Sequence, residues 1–242
     1  MASSPALPKK LRIAVLMEAV QATDIMGIDI LNGLRNPPPE MADGLAALGP
    51  AMAEVGATLA KYQDDMIDIE WFYVASSLEP AHFFLSFKWL PNCTYETCPR
   101  DLDIVILGGN MPTWRPAEAD RFIKEAFPKT RFWLTTCTGS VWLASAGVLD
   151  GKQATTNRAF RPVAKLLHPN VEWVDQRWVV QEKLWEGEGG TGEVWLAAGA
   201  IAGFDMIAQF CLQKFNPDHL RDLSFMGLDY YPERAMGQYY EQ

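Results

Sequence analysis

An α/β fold with a mainly parallel sheet is what this 242-residue chain predicts, on three observations. Short apolar, β-branched runs alternate with stretches of helical spacing along most of its length. One of these runs, Ile104–Leu107, is wholly apolar and passes straight into Gly108-Gly109. Another, Arg131–Thr135, is followed at once by Thr136-Cys137-Thr138-Gly139 and a new helical pattern. In open parallel sheets ligands bind beyond the carboxyl ends of the strands, so both turns mark where chemistry is expected.

The elements follow in order. Leu11–Met17 reads as a buried strand, apolar on both faces. Asp24–Leu34 carries helical spacing through Ile25, Ile28 and Leu31, with Asp24 in N-cap position. Residues 36–66 change character: Pro37 to Pro39 open the segment, glycines interrupt it and acids outnumber bases. It reads as an insertion or mobile arm, helical over Ala51–Lys61, within a single domain of residues 1–242. Ile67–Ala75 is a second strand, and His82–Leu90 a third or half of a hairpin. Ala117–Phe127 is a helix opened by Pro116 as an N1-type proline. Val141–Ala146 is a helix closed by Gly147 and Gly151. Ala159–Leu167 is helical, Arg177–Glu182 is a strand, and Gly192–Lys214 carries a long apolar helix.

Composition narrows the function. There are 21 basic and 30 acidic residues, a formal charge of −9, which argues against a general nucleic-acid or anionic-membrane binder. No run reaches the ~18 apolar residues of a membrane span, and Met1–Lys10 has no signal-type apolar core, so a cytoplasmic location is expected. Thiols stay free there. Cys93 and Cys98 lack a second pair to complete a zinc site, and with three histidines no metal is expected. Nine tryptophans either fill the core or wall an apolar pocket. Trp142 is expected beneath the site, and Trp185, in an acidic Gly-rich loop, to wall a pocket or interface.

Cys137 is the sharpest local signal. A nucleophile type at a tight strand-to-helix turn is the logic of a nucleophile elbow. The amides of the new helix are expected to favour the thiolate, and Gly139 to let the helix pack close. A buried, inert cysteine at a helix start is the competing reading. Gly108-Gly109 marks either a tight turn or a pair of free amides that hold developing negative charge. Asp24 is either the N-cap or a carboxyl that donates a proton at the site.

Together these pieces resemble the ThiJ/PfpI superfamily. The residues that carry the resemblance are Ile13-Ala-Val-Leu-Met17 with Val20-Gln-Ala-Thr-Asp24-Ile-Met-Gly27, Asp103-Ile-Val-Ile-Leu-Gly-Gly109, Thr136-Cys-Thr-Gly-Ser-Val-Trp-Leu-Ala144 with Ala146-Gly-Val-Leu149, Ala154-Thr-Thr156, Ala198-Gly-Ala-Ile-Ala-Gly-Phe-Asp205 and Gly227-Leu-Asp-Tyr-Tyr-Pro232. The resemblance implies a flavodoxin-like three-layer sandwich. The Cys-Thr-Gly turn, the upstream Asp and the tail are most similar to the isonitrile hydratase branch. That branch implies hydration of a small apolar isonitrile to an N-substituted formamide by a homodimer without cofactor. Cys137 would be the nucleophile and Asp24 the proton carrier; the Gly109 and Thr138 amides would steady charge. Where the family commonly has a histidine this chain has Asn157, which lowers the prospects of peptidase or glyoxalase chemistry and makes Asn157 a pocket candidate. Two alternatives stand beside the hydratase: another small-molecule (natural-product tailoring) enzyme on the same scaffold, and a non-enzymatic cysteine redox or small-molecule sensor.

Overall fold

The computed structural model describes residues 7–82 and 88–230. Among these, seven strands form the central sheet: β1 (Lys10–Leu16), β2 (Asp68–Ala75), β3 (Cys93–Thr94), β4 (Ile104–Leu107), β5 (Phe132–Thr136), β6 (Trp178–Leu184) and β7 (Thr191–Ala197). Their order is β6-β7-β5-β4-β1-β2-β3. Every neighbouring pair is parallel except β6 with β7, which forms an antiparallel hairpin at one edge.

Both faces of the sheet are covered. Along β1, Leu11, Ile13 and Val15 face one core while Ala14 and Leu16 face the other. The first core is closed by α1 (Ile28–Asn32) and by α7 (Ala200–Lys214), with Leu220 and Phe225 packed beside them. The second is closed by α4 (Ala117–Ala126), α5 (Gly139–Ser145) and α6 (Arg161–Leu167). This is the three-layer α/β sandwich. Trp133, Trp142 and Trp195 are among its largest fully buried side chains, so much of the tryptophan excess is core.

Some local readings need correction. The expected helix over 24–34 is a 3₁₀ turn at Ala22–Asp24 followed by the short α1, and Gln21, not Asp24, stands at the N-cap position. Asp24 is instead turned into the protein, where a buried amide takes its carboxylate. Pro116 lies one place before the first helical residue, as the cap of α4. The long helix begins only at Ala200, because Thr191–Ala197 is consumed as β7. Of the expected strand 82–90, Ala81–His82 and Lys88–Trp89 pair as a small hairpin, and residues 83–87 lie outside the described residues. The family-like tail beyond Tyr230 lies outside them too.

The 36–66 segment folds as α2 (Pro39–Ala47), a 3₁₀ turn at Gly49–Met52 and α3 (Ala53–Lys61). No residue of α3 is buried. The segment is tied down where it ends. The Tyr62 ring stacks on the buried His219 with centroids 5.1 Å apart, and its hydroxyl donates to Asp222 at 2.5 Å. Lys61 reaches the same carboxylate at 3.0 Å.

Candidate active site

The site forms where β4 and β5 end side by side. Cys137 follows β5 directly and has φ of 57°, the left-handed region that a non-glycine residue rarely enters. Three hydrogen bonds hold it there. Its N–H donates to the Ala197 carbonyl at the end of β7, at 3.0 Å. Its own carbonyl accepts from Ser140 Oγ at 3.1 Å and from Thr156 Oγ1 at 2.9 Å. Strain of this kind persists only where its surroundings over-determine it. The start of α5 is equally constrained, since a Cβ on Gly139 would collide with the Leu107 carbonyl and stand 2.9 Å from that of Gly108.

Gly109 sits between the two candidate reacting groups. Its N–H donates to Asp24 Oδ2 at 2.8 Å. A Cβ there would run into that same oxygen and lie 2.7 Å from Cys137 Cβ and 3.0 Å from Cys137 Sγ. Only glycine lets the carboxyl and the thiol share this space. Gly108 is packed as tightly, its missing side chain occupied by Val20 and by Asp24 Cβ at 3.0 Å. The Gly109 amide is therefore engaged by Asp24, which overturns its expected role as a free charge-stabilising donor.

Asp24 is 2 % exposed, and its Oδ1 has no hydrogen-bond partner among the described residues. Burial raises its pKa to about 6, against the pull of the Gly109 amide. The Cys137 thiol is pushed up to about 11, by burial first and by the neighbouring Asp24 second. Hydrogen bonds from the Thr138 amide and the Asn157 side chain, with the Thr138 hydroxyl nearby, oppose this without prevailing. The expectation of a thiolate favoured by the helix start is thus reversed, because burial outweighs the amide.

Thr138 and Asn157 flank the sulfur. Thr138 Oγ1 donates to the Asn110 carbonyl at 2.6 Å and accepts the Asn110 N–H at 3.0 Å, which pins the loop after β4 to the start of α5. Asn157 Oδ1 accepts from the Ala159 N–H at 3.1 Å, which turns its amide nitrogen toward the thiol. An amide can donate to a thiolate but cannot act as its base.

Trp185 is elsewhere. Its indole N–H donates to the Lys129 carbonyl at 3.0 Å, and the Arg131 guanidinium lies 5.2 Å over its ring. Those partners precede β5, whereas Cys137 follows it, so Trp185 packs at the opposite end of the sheet. The cleft over Cys137 and Asp24, of about 130 Å³, is walled instead by Gln21, Asn110, Met111, Pro112 and Phe160. Asn110 and Met111 follow directly on the Gly108-Gly109 turn, over the site; Gln21, Pro112 and Phe160 announced no wall position in the sequence. Phe160 comes from the helical stretch after Asn157 and arrives only through the tertiary fold. No cluster of metal-ligating side chains occurs among the described residues, and no helix among them is long and apolar enough to cross a membrane.

An α/β protein with a cysteine held in the left-handed region at a strand-to-helix turn, beside a buried carboxyl, is the class that fold and site define. The DJ-1/PfpI family matches residues 52–197, which include Cys137 and leave Asp24 outside. The isonitrile hydratase of Pseudomonas putida is 30 % identical over 112 residues, 45 % of this chain and 47 % of that protein. The chain thus aligns with about half the length of that curated relative. Among solved structures, a ThiJ/PfpI family protein from Pseudomonas syringae superposes with a TM-score of 0.66 at 19 % identity, over 97 % of this chain and 80 % of the other. An AraC family transcriptional regulator from Pseudomonas putida superposes at 0.61 with 12 % identity, over 91 % of this chain and all of that one. These likenesses of shape speak for the fold alone. The chain belongs to the DJ-1/PfpI family.

Proposed function

We propose that the protein is a cofactor-free hydratase that converts a small, apolar isonitrile, R–N≡C, to the formamide R–NH–CHO. The observation that carries this reading is the meeting at Gly109 of a thiol and a raised carboxyl with one open oxygen, flanked by an amide rather than an imidazole. The curated relative at 30 % identity supports it. The cleft walls of Met111, Pro112 and Phe160 suit an apolar R group. A cytoplasmic homodimer, with the 36–66 arm inserted in one domain, belongs to the same proposal.

The two pKa values set the order of events. A thiol at about 11 is a poor source of thiolate, and a carboxylate of about 6 is too weak a base to generate one in advance. The acid acts first. Protonated Asp24 delivers its proton to the terminal isonitrile carbon, which makes that carbon electrophilic. Cys137 sulfur then bonds to the carbon, and the thiol proton returns to Asp24. The product is the thioimidate S–CH=N–R. In the second half Asp24 protonates the imidate nitrogen and takes a proton from the water that adds to carbon. Collapse of the adduct breaks the C–S bond, returns a proton to sulfur and releases the formamide. Asn157 and the Thr138 amide favour charge on sulfur as it leaves.

The test is turnover of n-butyl isonitrile, read as N-butylformamide. The wild type is expected to be active and Cys137→Ala to fall to background. Acid-first chemistry further requires kcat/KM to decline as pH rises above about 6, the Asp24 value. Equal turnover by Cys137→Ala would exclude covalent catalysis. A rate that climbs toward the thiol pKa would reverse the order of steps. The raised thiol also weighs against the sensor alternative, because oxidation follows thiolate character.

A further inference from the structure

Two thiols that this chemistry leaves unused meet at the edge of the sheet. Cys93 opens β3 and pairs in register with Val74 at the end of β2. The chain then folds back within one turn. The Cys98 N–H donates to the Thr94 carbonyl at 2.9 Å, the Thr94 N–H donates to Thr97 Oγ1 at 3.0 Å, and the two threonine hydroxyls lie 3.2 Å apart. This turn brings the Cys98 thiol beside the Cys93 thiol, whose S–H faces the Tyr73 carbonyl at 3.9 Å. Cys98 is buried at 2 % exposure, while Cys93 is half-buried. One sulfur thus meets solvent and the other waits behind it. Arg100 donates to the Cys98 carbonyl, and its positive charge and that of Arg12 bear on the Cys98 thiol. β4, β1 and β2 separate β3 from β5, which Cys137 follows, four strand spacings or roughly 19 Å.

We propose that Cys93 and Cys98 are a peroxide-oxidisable dithiol, a modification site separate from Cys137, which closes to a Cys93–Cys98 disulfide. Cys93 is the attacking sulfur, because it is the more accessible of the two and the neighbouring Cys98 thiol favours its thiolate. It attacks one oxygen of a hydroperoxide. The S–O bond forms, the O–O bond breaks, and the leaving oxygen takes a proton, which gives the Cys93 sulfenic acid. Cys98 sulfur then attacks Cys93 sulfur. The S–S bond forms, the S–O bond breaks, and hydroxide departs with the Cys98 proton as water. Two electrons have passed from the thiols to the peroxide. Two cysteines brought together by one closed turn need little backbone movement to bond.

One tryptic peptide, Trp89–Arg100, carries both cysteines and neither of the other two. The folded protein is treated with a small excess of hydrogen peroxide, then with iodoacetamide, digested and weighed. The peptide is expected to lose two hydrogens and take up no alkyl group, while Cys137 remains alkylatable. Dithiothreitol restores two alkylation sites. In Cys98→Ser the same treatment stops at a Cys93 sulfenic acid that dimedone captures. A wild-type peptide that stays doubly alkylated while Cys137 oxidises overturns the proposal. So does one that advances to sulfinic acid without bridging. Neither outcome depends on whether the protein hydrates isonitriles.

Discussion

The Asp24 carboxyl is held where its charge is least welcome. Its folded pKa of about 6 stands above the ordinary 3.8, so the folded state binds the proton more tightly than the unfolded one. Its contribution to stability is therefore full below about pH 4 and is lost as pH rises through 6. Asp24→Asn keeps an acceptor for the Gly109 amide and removes the charge. It is expected to raise the unfolding free energy near pH 8 by up to about 3 kcal/mol, with the difference vanishing near pH 4. Hydration should fall by roughly 10²–10⁴ in the same variant. Denaturant titrations at the two pH values, beside a rate assay, check both. A variant less stable at pH 8 would show that the charge is not a burden. Asn157 acts on the other group. Its loss in Asn157→Ala withdraws a donor from sulfur, so the pH at which iodoacetamide captures Cys137 should move further up. An unchanged profile would leave Asn157 as a wall residue only. Gly108, Gly109, Cys137 and Thr138 could be placed in advance because each follows directly on a strand end, where chain order fixes position; Asp24 lies further on, in the Ala22–Asp24 turn beyond β1. Trp185 misled because an aromatic in a glycine-rich loop signals partial exposure without saying at which end of the sheet the loop lies.

At the scale of elements, the seam between the 36–66 arm and the 216–225 segment is where acid should act. Burial lowers the His219 pKa, with Asp65 pulling the other way and Lys9 adding to the fall. A histidine with a depressed folded pKa contributes stability that is present above its unfolded value of about 6.5 and is lost as pH falls. His219→Phe keeps a ring for Tyr62 to stack on and cannot be protonated. Its unfolding free energy should fall less between pH 7 and pH 5 than that of the wild type. Parallel curves would remove His219 from the account. The helical spacing of 51–61 made one of these helices legible in advance. The anchoring was not, because Tyr62 and His219 are 157 positions apart in sequence and nothing local links them. The broken helix at 22–32 has a similar cause. Asp24 fits an N-cap by local rules, and a tertiary partner, the Gly109 amide, claimed it.

Across the whole molecule, the mainly parallel sheet was legible because both-face burial writes continuous apolar runs, as in Ile104–Leu107. The β6–β7 hairpin was half hidden. Thr191–Ala197 is apolar enough to read as the start of the helix that follows, and only Gly199 marks the break. The sheet matters to the chemistry because it alone brings Asp24, after β1, and Cys137, after β5, to the two sides of Gly109, after β4. In the proposed hydration Cys137 carries the substrate covalently between two proton transfers. Rapid acid quench of the wild type with n-butyl isonitrile, followed by peptide mass analysis, tests it directly. The expected result is a Cys137 peptide heavier by one isonitrile molecule, formed before product and absent in Cys137→Ala. Formamide that accumulates with no such adduct, or at the same rate in Cys137→Ala, would contradict it.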